Sequence, residues 1–115
     1  MTEENAAEEL SFYRIAPAEE LPEGGRLFLE FEDRSVVVFN IDGTYYAIDD
    51  VCTHDGGPLG EGRVEGYEIS CPRHGARFDV RTGRVLSLPA VQSVSAYPVR
   101  AREGFLEIGF PDSSP

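Results

Sequence analysis

Apolar residues along this chain come in short bursts, punctuated by Gly, Pro, Asn and Asp, and no window sustains them at helical spacing. Residues 10–15 mix apolar and polar positions, with Phe12 and Tyr13 as candidate core contacts. Residues 26–31 alternate, which places Leu27 and Leu29 on one face of a strand and Phe28 on the other. Residues 35–40 are rich in β-branched side chains, and 44–48 carry the aromatic pair Tyr45-Tyr46. Between them, Asn40-Ile41-Asp42-Gly43 predicts a tight hairpin, because Asp-Gly readily takes the positive φ values such a turn needs.

The second half continues in the same way. Residues 67–70 form a strand leading into Cys71, and 77–80 form another leaving the following loop. Thr82-Gly83 marks a hairpin followed by 84–86, and residues 95–101 and 105–110 pair antiparallel across Arg102-Glu103-Gly104. A single helical turn near 18–21 is the exception. Many short strands punctuated by Gly and Pro imply an all-β antiparallel barrel or sandwich. We expect one domain over residues 10–110, a disordered acidic tail over 1–9 and a short C-terminal tail over 111–115.

Composition narrows the function. The 115 residues are 41% hydrophobic, as expected of a folded domain. Apolar stretches such as Val36-Val37-Val38-Phe39 are too short to span a bilayer. The first residues carry no positive charge before Arg14 and no apolar core, so neither a secretory nor a twin-arginine signal is expected, and the simplest location is the cytoplasm. A net charge of −11 with no continuous basic face argues against a nucleic-acid partner.

The candidate chemistry lies in four residues, which are every Cys and every His in the chain: Cys52-Thr53-His54 and Cys71-Pro72-Arg73-His74. Each half runs into a glycine-containing loop, His54-Asp55-Gly56-Gly57-Pro58 or His74-Gly75-Ala76. Two cysteines could form a disulfide, but each has a histidine at ligand spacing and the expected compartment is reducing. Two thiolates and two imidazoles also suit zinc, although zinc modules usually pair ligands as C-x₂₋₄-C and H-x₃₋₅-H.

A C-x-H pair followed by C-x-x-H resembles the motif of the Rieske proteins, whose [2Fe–2S] cluster has cysteines on one iron and histidines on the other. The resemblance covers roughly residues 13–108 and implies a Rieske-like antiparallel β-barrel with two cluster-binding finger loops. It implies that Cys52 and Cys71 bind the buried iron and His54 and His74 the outer one. It also implies that Gly56, Gly57 and Gly75 bring backbone N–H groups close to the cluster sulfides. Ser87-Leu88-Pro89-Ala90 looks like the family's third, proline-containing loop, which covers the cluster.

The high-potential members of this family carry a further cysteine in each finger loop, joined by a disulfide. The matching positions here are Gly57 and Arg73, and Ala76 and Phe78 stand where those proteins have a serine and a tyrosine. Missing hydroxyl donors and a net negative charge disfavour the reduced state, so a midpoint on the order of −150 mV is expected. What remains is similar to the soluble Rieske-type ferredoxins of bacterial aromatic-ring dioxygenase systems. That resemblance implies a one-electron carrier, not an enzyme, acting as a monomer between a flavin-dependent reductase and a terminal oxygenase. The oxygenase itself needs a second iron site with two more histidines, which this chain lacks. No dinucleotide fingerprint marks a reductase. The small subunit of an NADH-dependent nitrite reductase, and an accessory or redox-sensing interaction protein, are the alternatives. Arg73, Arg77, Arg81 and Arg84 beside Asp49, Asp50, Asp55, Glu61 and Glu65 form a mixed rim that either steers a partner or simply lines a solvated surface.

Overall fold

A computed structural model of the chain describes residues 10–53, 56–90 and 92–111. The expected tail over 1–9, the end of the C-terminal tail and His54 lie outside the described residues. Among the described residues, ten strands follow in order: β1 (Leu10–Pro17), β2 (Arg26–Phe31), β3 (Arg34–Ile41), β4 (Thr44–Asp49), β5 (Arg63–Glu65), β6 (Glu68–Ser70), β7 (Arg77–Asp79), β8 (Ala96–Tyr97), β9 (Val99–Arg102) and β10 (Phe105–Pro111). A 3-10 turn at Ala18–Glu20 is the one helical element among the described residues, and no helix there is long and apolar enough to cross a membrane.

The strands form three antiparallel sheets, ordered β1-β10-β9, β2-β3-β4-β8 and β5-β6-β7. The middle sheet explains the unbroken run Val36-Val37-Val38-Phe39. Both of its faces are covered, so successive side chains enter different cores and alternation disappears. Val37 and Phe39, with Ile48, face a core built with Leu59, Ile69 and Phe78. Val36 and Val38, with Ala47, face a second core built with Leu106, Ile108 and Phe110. Leu27 and Leu29 pack against that second core, whereas Phe28 is left exposed, as the alternation predicts.

The β3–β4 hairpin turns at Asp42 (φ 56°) and Gly43 (φ 86°), the paired positive values expected of that sequence. Two expectations need correction. Residues 95–101 are not one strand: β8 pairs with β4, β9 pairs with β10, and the chain changes sheet at Pro98. Proline has no N–H to continue a ladder, so the break falls there. Residues 84–86 make only a bridge, Phe78 to Val85, and β5 is a strand the pattern did not predict.

Candidate functional site

Two loops at one end of the small sheet carry the candidate ligands. The first leaves β4 and returns into β5; the second joins β6 to β7. They close in the same way despite their different sequences. Cys52 N–H donates to Gly57 O at 2.7 Å, and Gly56 N–H donates to Cys52 O at 2.6 Å. In the second loop Cys71 N–H donates to Ala76 O at 2.7 Å, and Gly75 N–H donates to Cys71 O at 2.9 Å. The glycine four positions after each cysteine has positive φ, 77° at Gly56 and 80° at Gly75, so the fold repeats the turn and the glycine that allows it. This corrects one implication of the resemblance: the Gly56 and Gly75 amides close their own loops by donating to cysteine carbonyls.

The matched turns root Cys52 and Cys71 in the first core, where they are 0% and 2% exposed, and they are not joined in a disulfide. The Cys52 side chain stands beside the Cys71 thiol. Burial pushes the Cys71 thiol up. The backbone N–H groups of Arg73 and His74, the Cys52 side chain and the Arg73 charge outweigh that, leaving it below its ordinary range. For Cys71, the amides directed at the sulfur are those of the residues two and three places after it. His74 is exposed. Among the described residues no three Cys, His, Asp or Glu side chains gather around one point, so the described part of the site is the cysteine pair with His74 outside it.

Several residues that the sequence did not single out as structural hold the loops. Asp50 Oδ1 accepts the Leu59 and Gly60 amides at 2.9 and 2.5 Å, pinning the return of the first loop. Arg26 donates to the Gly60 and Gly62 carbonyls at 2.5 and 2.6 Å, tying that return to β2. Thr53 Oγ1 donates to Gln92 O at 2.5 Å, and Ala90 is buried in the same core as both cysteines, so the segment after Pro89 packs beside the site. Much of the expected charged rim is locally engaged: Arg77 pairs with Glu68 at 3.1 Å, and Arg81 pairs with Asp79 at 3.0 Å.

A family model described as the Rieske [2Fe–2S] domain matches residues 11–98. The chain belongs to the Rieske family. The ferredoxin component of the naphthalene 1,2-dioxygenase system of Pseudomonas aeruginosa is 42% identical to this Rieske protein over 81 residues, covering 70% of this chain and 78% of that one. The ferredoxin of carbazole 1,9a-dioxygenase from Nocardioides aromaticivorans has a similar structure, with a TM-score of 0.79 and 32% identity, covering 85% of this chain and 96% of that one. A chain in the complex of reduced oxygenase and oxidised ferredoxin in carbazole 1,9a-dioxygenase aligns with a TM-score of 0.80 at 26% identity, over 90% and 97% of the two chains. The cofactor of this Rieske domain is one [2Fe–2S] cluster, and the described residues fit it: two adjacent buried sulfurs, one of them held by amides, with an imidazole on the solvent side.

Proposed function

We propose that this protein is the ferredoxin of a dioxygenase-type system, a one-electron carrier with Cys52, His54, Cys71 and His74 as the four cluster ligands. The observation that carries this reading is the pair of matched loops, which bury Cys52 and Cys71 together and leave His74 exposed. When bound, the cluster takes up and releases one electron. The chain's own residues supply the rest. Cys52 and Cys71 anchor the inner side away from water, and the Arg73 and His74 amides stabilise negative charge on the Cys71 sulfur. His74 faces solvent, where a partner can approach.

Ala76 and Phe78 are both fully buried, and neither offers a hydroxyl donor, which supports a midpoint on the order of −150 mV. The partners are a flavin-dependent reductase on one side and a terminal oxygenase on the other, met transiently by a monomer in the cytoplasm. Redox titration of anaerobically purified protein, followed by EPR, tests the reading. A rhombic reduced signal with the lower average g of mixed Cys/His ligation is expected at low potential. Zinc in an EPR-silent protein after cluster reconstitution, or a midpoint well above zero, contradicts it.

A further inference from the structure

Arg73 extends from the second finger loop to the first. Its guanidinium Nη1 donates to Pro58 O at 2.8 Å. Its flat group also lies against the backbone of Gly57: a β-carbon built there would stand 2.7 Å from Cζ, 2.8 Å from Nη2 and 3.0 Å from Nε. Gly57 does not have the left-handed φ seen at Gly56, so its backbone conformation would accept a side chain. The space a side chain would occupy is taken by Arg73. Gly57 O also receives the Cys52 amide, so the contact bears on the turn that sets Cys52.

We infer that Arg73 is a positioning residue, a non-covalent tie that holds the tip of the first loop against the second. The contact fixes the separation of the loops and so the pocket that retains the cluster. This inference rests on the reading of the two loops as the cluster site. Three features make guanidinium suitable. It is planar, so it can lie on a glycine backbone. It keeps its charge at all working pH values, and it has donors to spare for a carbonyl. The Gly57–Arg73 pair is thus complementary, because a larger residue at 57 would displace the group that position 73 supplies.

The test uses holoprotein and two single variants that break the contact from opposite sides. Arg73→Met removes the guanidinium and its charge but keeps an unbranched chain. Gly57→Ala keeps Arg73 and its charge but fills the surface it lies on. The readouts are the rate at which visible absorbance bleaches in excess iron chelator and the widths of the reduced EPR lines, with denaturant midpoints recorded alongside. Loss of one hydrogen-bonded contact predicts bleaching about three- to tenfold faster in both variants. Broadened EPR lines are expected as well, since loosened loops admit a spread of ligand geometries. Wild-type bleaching in either variant overturns the inference. Fast bleaching in Arg73→Met alone would assign the effect to charge beside Cys71 and also overturns it. If Arg73→Met fails to fold, Gly57→Ala decides alone. Wild-type protein with no cluster signal would instead refute the cluster site itself, a distinct result.

Discussion

The Tyr97 hydroxyl donates a 2.6 Å hydrogen bond to Asp49 Oδ1, joining the short β8 to the end of β4 three residues before Cys52. Asp49 Oδ2 accepts the Ser95 amide at 3.1 Å, and the Tyr97 ring meets Phe110 edge-on at 4.9 Å. Burial, and then the neighbouring Asp49 carboxylate, push Tyr97 from its ordinary 10.0 up to about 12. The folded state therefore keeps a proton that the unfolded chain loses between those values. The stabilisation is complete below pH 10 and disappears as pH rises toward about 12. The urea midpoint should fall across that range. Tyr97→Phe should be less stable at neutral pH and show a shallower alkaline fall. All ten basic residues are arginine, so no lysine titration overlaps the signal.

Asp50 satisfies two amides that water does not reach, since Leu59 and Gly60 are both buried. Asp50→Ala should destabilise the fold by about 2 kcal/mol through unpaired donors. Asp50→Asn keeps a carbonyl oxygen and should lose less. Urea denaturation of the two variants checks the order, and equal losses would contradict the two-amide role.

Gly62 and Gly66 flank β5 and should respond oppositely to what their backbone angles suggest. Gly66 has φ +62°, but a β-carbon there meets nothing within 4 Å, so Gly66→Ala should cost about 1–2 kcal/mol. Gly62 has no left-handed φ, yet its β-carbon would lie 1.8 Å from the Ser70 carbonyl oxygen. Gly62→Ala must force β5 and β6 apart next to Cys71, at a cost of about 3 kcal/mol or more. Thermal melts of the two variants in parallel would show whether close backbone approach outweighs the dihedral penalty.

Asp79 marks the acid side. Hydrogen bonds from the Arg81 side chain hold its carboxyl below the ordinary 3.8, with the Arg81 amide and the charges of Arg81 and Arg84 adding to them. A lowered carboxyl contributes stability above its unfolded value and loses it as pH falls through its folded one. Asp79→Asn should flatten the wild-type decline in stability below pH 3.8, measured by urea midpoints at stepped acid pH.

Some of this was readable in the residues because the interactions are local. Asp42-Gly43 names its own turn, and the alternation of residues 26–31 names which side of β2 is buried. Each cysteine stands four residues before the glycine that turns its loop. Other features gave no such signal. β5 is three residues long with only Val64 apolar, so it has no pattern to read. Asp49 and Asp50 look like surface charge in the sequence, and their roles appear only when Tyr97, Leu59 and Gly60 come to meet them.

The sequence by itself determined an all-β chain, the family and the four candidate ligands, because residue type and spacing encode turns, strand faces and donor chemistry directly. The tertiary structure decided the rest. It split residues 95–101 between two sheets at Pro98 and gave the Val36–Phe39 run a core on each face. It also brought Arg73 onto Gly57, sixteen positions away. Those outcomes depend on which backbone groups and apolar faces remain to be satisfied when distant segments meet, and local sequence does not specify that pairing.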